Sequence, residues 1–150
     1  MSTITPYLWF ERDLEQVLDY YMSVFKNARN SSVQDLGNDI KTAEFELEGQ
    51  KFMALQGGPQ FKFTEAISFF VTCEDQAEVD YYWNALTSNG GQESQCGWLK
   101  DKYGLSWQII PKALMETIGG EDKAGAQRVV QAMLQMRKII VDDLRRAYAG

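Results

Sequence analysis

The feature that most restricts how this chain folds is an internal duplication. Asp13-x-x-Gln16-Val17 aligns without gaps on Asp75-x-x-Glu78-Val79, displaced by 62 residues. Each pair reads as a capping-box helix start, in which an Asp side chain accepts from a backbone N–H while Gln or Glu reaches back. An aromatic, β-branched strand precedes each start, Ile4–Phe10 in one case and Ala66–Cys73 in the other,. A hairpin follows each. The chain therefore reads as two copies of a strand–helix–three-strand unit.

The first copy predicts a helix over 13–25, with Leu14, Val17, Leu18, Tyr21 and Phe25 at helical spacing and Asn27, Asn30 and two serines closing it,. Ala43 to Leu47 then alternates, placing Phe45 and Leu47 opposite Glu44, Glu46 and Glu48. Glu48-Gly49-Gln50 signals a tight turn, Lys51 to Gln56 returns as a partner strand, and Gly57-Gly58-Pro59 ends the segment,. In the second copy Val79, Tyr82, Trp83 and Leu86 stripe a helix that Gly90-Gly91 stops. Its hairpin runs from Trp98 to Ile110 and turns at Asp101–Gly104. One helix covers one face of each sheet, so two such units would pair their open faces around a cleft, where a small molecule would sit. Beyond Pro111 the pattern predicts three short helices, one carrying Val129, Met133 and Met136, the last capped by Asp142 with Leu144 and Tyr148 inward. That tail is expected to pack on its own domain or on a dimer partner.

Composition removes whole classes of function. Fifteen Lys and Arg against 21 Asp and Glu leave a net charge of −6, against nucleic-acid backbone and anionic membrane as partners,. The 45% apolar share is that of a folded domain, and no apolar run approaches the roughly 20 residues a membrane helix needs,. Met1-Ser2-Thr3-Ile4-Thr5-Pro6 lacks the basic and apolar regions of a signal peptide,. A cytoplasmic protein is expected, and its two cysteines, Cys73 and Cys96, are expected to stay unpaired,. The chain contains no histidine. Ser-His-Asp triads, Cys-His dyads and imidazole acid–base catalysis are excluded outright.

Several stretches resemble one family: Ile4-Thr-Pro-Tyr-Leu-Trp-Phe10, Phe52-Met-Ala-Leu-Gln-Gly-Gly-Pro59, Phe61-Lys-Phe63, Ala66-Ile-Ser-Phe69, Gln95-Cys-Gly-Trp-Leu-Lys-Asp-Lys-Tyr-Gly104 with Ser106-Trp-Gln-Ile109, and Gln131-Ala-Met-Leu-Gln-Met136. They are similar to the 3-demethylubiquinone-9 3-methyltransferase-like (PhnB-like) family of the vicinal oxygen chelate superfamily, which includes glyoxalases, bleomycin-resistance proteins and dioxygenases. The resemblance implies an α+β fold of two βαβββ modules, at 1–60 and 64–111, forming an open cup, with a helical tail over 112–150. It also implies a homodimer.

The superfamily's divalent metal is held by His, Gln or Glu side chains, and the resemblance says where they would lie. The first-strand position falls on Pro6, the middle one near Ala66 or Ser68, and the last on Gln108, while Gln60 stands where close relatives carry His after Gly-Gly-Pro. Proline offers no donor atom and glutamine is neutral, so no metal and no other cofactor is expected. Strand parity from Pro6 then places Leu8 and Phe10 in the cup and Tyr7 and Trp9 beneath the helix. The same rule brings in Ser68 and Phe70 from the middle strand, and Ser106, Gln108 and Ile110 from the last. The expected ligand site is Leu8, Phe10, Ser68, Phe70, Ser106 and Gln108, an apolar lining with three hydrogen-bonding groups suited to a neutral or aromatic small molecule.

Other residues suggest less chemistry. Cys96 lacks an activating base, Cys73 reads as core, and the Glu44/Glu46/Glu48 face reads as solvated surface,. Asp101 suits a hairpin turn for backbone reasons. No glycine-rich strand-to-helix turn of the nucleotide-binding kind is present,. Three roles remain open: a metal-free small-molecule binder, an enzyme related to quinone methyltransferases, glyoxalases or dioxygenases, and a dimeric interaction protein with a filled cup.

Overall fold

The computed structural model describes residues 1–150, in two compact units, Met1–Lys62 and Phe63–Gly150. The first unit runs β1 (Tyr7–Phe10), α1 (Leu14–Val24), β2 (Ala28–Asn30), β3 (Gln34–Asp35), β4 (Lys41–Leu47) and β5 (Gln50–Gln56). Its sheet is ordered β1-β5-β4-β2, with β1 parallel to β5 and β3 adding a short pairing to β4. Glu48 and Gly49 turn the β4–β5 hairpin with φ of 47° and 86°, the left-handed pair that a two-residue hairpin loop demands,. One sheet face is apolar and covered by α1: Phe45 stacks between Phe52 and Tyr21, at centroid distances of 5.0 and 6.1 Å. Residues 28–30, expected to close the helix, instead form the edge strand β2 against β4.

The second unit repeats this plan as β6 (Ser68–Cys73), α2 (Gln76–Thr87), β7 (Gln92–Glu93), β8 (Trp98–Lys100) and β9 (Ser106–Pro111). Its order is β6-β9-β8-β7, again with the first strand parallel to the last. The duplication is thus one of connectivity as well as sequence. Val79, Tyr82, Trp83 and Leu86 are buried as their spacing requires.

The two helix starts differ, however. Asp75 accepts from the Glu78 N–H at 3.0 Å, and Glu78 accepts from the Glu74 N–H at 3.2 Å. Asp13 makes no cap; it sits at φ 57°, ψ 48°, and the buried Gln56 of β5 accepts the Leu14 N–H instead, at 3.0 Å. Helix α1 begins four positions after the last residue of β1, whereas α2 begins three after that of β6. One extra residue in the first connection is absorbed by the left-handed turn at Asp13.

The tail folds onto the second unit as α3 (Lys112–Ile118), α4 (Lys123–Met133) and α5 (Val141–Ala149). Ile110, Leu114, Val129, Ile139 and Leu144 form its core, with Met133, Met136 and Tyr148 packed around them. Asp142 lies in the first turn of α5 and is not its cap.

Candidate functional site

Each sheet leaves one face uncovered by its helix, and strand pairing states which side chains occupy it. In the second unit Ser68 pairs with Ser106, Ser106 with Lys100, and Lys100 with Gln92. Phe70 pairs with Gln108 and Gln108 with Trp98. Directly paired residues share a face, so these two rows form one surface opposite the Phe69, Trp107 and Leu99 side that meets α2. The middle of that surface is polar: the Gln108 amide Nε2 donates to Ser68 Oγ at 2.9 Å. Beside it Phe70 is 50% exposed, an uncommon state for a phenylalanine flanked by strands on one side,. Ser68, Phe70, Ser106 and Gln108 therefore lie together as parity predicts. Ile110 does not join them, because β9 carries it into the core beneath the tail helices.

In the first unit the predicted facing is inverted. Leu8 and Phe10 are buried on the helix side, with the Phe10 ring 6.2 Å from Tyr21. The open face instead presents Tyr7, half exposed, and Trp9. The Trp9 indole donates to Gly58 O at 2.9 Å and meets Phe61 edge-on at 5.0 Å. Gly57 must be glycine here, since a Cβ would come within 2.5 Å of the Trp9 ring. The cause of the inversion is the extra residue before α1: counting from the helix back into the strand gains one position, and one position reverses every side chain. Leu8 and Phe10 are core residues.

Two cavities open on these surfaces. The larger, about 550 Å³, lies in the first unit against Thr5, Arg29, Glu46, Lys51 and Met53. Its arginine is already held by Glu46 at 2.8 Å. The smaller, about 260 Å³, lies in the second unit among Trp98, Lys100, Glu65, Ser94 and Ser106. An ion pair joins Lys100 to Glu65, and that hydrogen bond holds the Glu65 carboxyl below its ordinary range. The sequence reading missed Trp98 and Lys100. The alternation of the Trp98–Ile110 hairpin contained them, as both sit on the strand directly opposite Gln108 and Ser106.

The reactive candidates are inert or committed. Cys73 is fully buried, and desolvation, with the nearby Glu78 and Asp75 carboxylates, pushes its thiol up to about 12. Cys96 and Gly97 serve through their backbone: their N–H groups donate to Met136 O and Arg137 O, both at 2.8 Å. Glu46 binds Arg29, and Glu48 accepts the Asn27 N–H at 2.7 Å. Asp101 is more than a turn residue. It is 2% exposed and accepts from the Tyr103 and Leu105 N–H groups and from the Trp107 indole.

The family model described as 3-demethylubiquinone-9 3-methyltransferase matches residues 2–110. The chain belongs to that family. The PhnB protein of Bacillus cereus is 31% identical, with a TM-score of 0.66, 73% of this chain covered and 99% of that one. A protein of Pseudomonas aeruginosa gives 18% identity and a TM-score of 0.59 over 74% and 98% of the two chains. The fosfomycin resistance protein FosX of Listeria monocytogenes, solved with Mn(II) and sulfate, gives 18% identity and a TM-score of 0.52 over 71% and 89%. The last two show a shared fold. No curated protein matches the chain. The family match ends at residue 110, so Gln131–Met136, which resembles the family in sequence, lies outside it.

The metal that the sequence resemblance implies would have to be held by a poor set of donors. The first strand and the residue before it offer Tyr7 and Pro6, the middle strand Ser68, and the last Gln108, a neutral amide,. No three His, Cys, Asp or Glu residues are grouped to hold an ion,.

Proposed function

We propose that this family member binds a small aromatic or apolar molecule on the open face of its second sheet, without a metal. The observation that supports the reading is the Gln108–Ser68 hydrogen bond set beside a half-exposed Phe70. Binding sites combine apolar wall with a few fixed polar groups, and this surface has both. A ligand covering Phe70 would remove its ring from water, and Gln108 would orient the ligand through its free carbonyl oxygen. Ser106 lies one pair further along, and the protein works as a cytoplasmic homodimer. Two unpaired cysteines accord with a reducing compartment,. A reaction on the bound molecule, as the family's name suggests, would take place on this same surface.

Native mass spectrometry of the purified protein tests the reading. A dimer carrying an organic adduct, lost in Gln108→Leu with the fold retained, is the expected result. An adduct that survives Gln108→Leu and Phe70→Ala alike would remove this surface from consideration.

A further inference from the structure

The sheet surface holding Gln108 continues toward β8 and β7 into the cavity of about 260 Å³. Ser106 sits in its wall, 1% exposed, and its Oγ is the one buried side-chain polar atom with no hydrogen-bond partner. Buried hydroxyls are almost always satisfied, because an orphaned one forfeits its bonds to water without replacement. The second donor is an indole. Three of the four tryptophan N–H groups have internal acceptors: Trp9 in Gly58 O, Trp83 in Glu93 and Trp107 in Asp101. Trp98, in the cavity wall, has none. The charged groups around them are occupied, Lys100 by Glu65, and Glu93 by the Trp83 indole and by Arg137.

The cavity thus offers two free donors, no uncommitted cation and two carboxylates in its walls. We infer that its ligand presents a neutral carbonyl oxygen to Ser106 Oγ and the Trp98 indole. The inference rests on the small-molecule reading above and adds the chemistry of the ligand's polar end. A carboxylate would meet Glu65 and Glu93 and compete for a lysine already paired. An ammonium could use the hydroxyl oxygen as an acceptor but would face the donor-only Trp98 indole N–H, and both carboxylates already hold partners,. The neutral acceptor satisfies both groups without disturbing any existing pair.

The test uses the full chain and four probes of matched size: acetophenone, ethylbenzene, benzoate and benzylammonium. Binding is followed by the indole N–H resonance of Trp98, assigned with Trp98→Phe. Acetophenone should bind at least about five- to tenfold tighter than ethylbenzene, as one or two hydrogen bonds allow, and Ser106→Ala should shrink the difference to what the Trp98 indole alone supplies. Ser106→Ala should also melt no lower than the native protein, since it removes an unsatisfied hydroxyl. Benzoate or benzylammonium binding above acetophenone would overturn the inference. So would equal binding of acetophenone and ethylbenzene with Ser106→Ala silent; if both then weaken in Phe70→Ala, the small-molecule reading itself survives. Should no probe shift Trp98 and the purified protein carry no adduct, both fall together.

Discussion

Asp101 illustrates how a turn residue becomes structural. Its Oδ1 takes two backbone N–H groups, at 2.9 and 3.2 Å, and its Oδ2 takes the Trp107 indole at 2.9 Å, all away from water. Asp101→Ala would leave buried donors unpaired and is expected to cost about 2–4 kcal/mol in urea unfolding, with Asp101→Asn milder because one carbonyl oxygen remains. Cys73 contributes through what it does not do. Its thiol stays protonated to about pH 12 in the folded protein but ionises near 9 once unfolded. The native state therefore holds a proton that the unfolded chain gives up between those values. Its contribution is full below pH 9 and falls by about 1.4 kcal/mol per pH unit above it. Urea midpoints of native protein and Cys73→Ala, taken at pH 8.5 and 10.5, should diverge in that direction; parallel loss in both would show that the thiol carries no part of the alkaline dependence.

At the scale of elements, the start of α1 is the point where local signal and tertiary contact disagree. A capping box at Asp13 would make that side chain worth about 1 kcal/mol to the helix. In the structure the cap comes from Gln56, 42 residues away, whose Nε2 also donates to Asp39 O at 2.9 Å. Gln56→Leu is therefore expected to destabilise by about 2 kcal/mol, by leaving the Leu14 N–H buried and unpaired. Asp13→Gly should be neutral or stabilising, since glycine adopts φ 57° without strain,. Thermal melts of the two variants decide between the caps, because a working capping box would reverse their order.

On the scale of the whole molecule, the second unit is not complete at the end of its sheet. The segment after α4 is clasped at several points. Cys96 and Gly97 donate to it, the Gln76 amide donates to Ile139 O at 3.0 Å and accepts the Val141 N–H at 2.7 Å, and Lys138 pairs with Asp80 at 2.8 Å. Gly97 is fixed by this contact, since at φ 85° a Cβ would come within 2.8 Å of Ile110 and 3.1 Å of Ile139. Ile139→Ala is expected to cost about 2–5 kcal/mol as a cavity in that core. Ending the chain after Pro111 should strip Ile110 of its cover and broaden the thermal transition; a truncated chain that melts as sharply and as high as the full one would show the tail to be an ornament on the fold.

The sequence by itself determined the duplicated strand–helix–sheet plan, the hairpin at Glu48-Gly49, the buried stripe of α2 and the alternation that puts Ser68 with Phe70 on one strand face and Ser106 with Gln108 on another. These depend on periodicity, turn chemistry and parity within continuous segments, all of which are local. Only the tertiary structure decided that Leu8 and Phe10 face α1, because a single added residue before the helix reverses a period-two pattern and leaves no mark on composition. It alone supplied the Gln56 cap, the seat of the tail on Cys96-Gly97, and the orphaned hydroxyl of Ser106. Each depends on groups far apart in the chain whose meeting is set by how the elements pack, and no run of neighbouring residues encodes that distance.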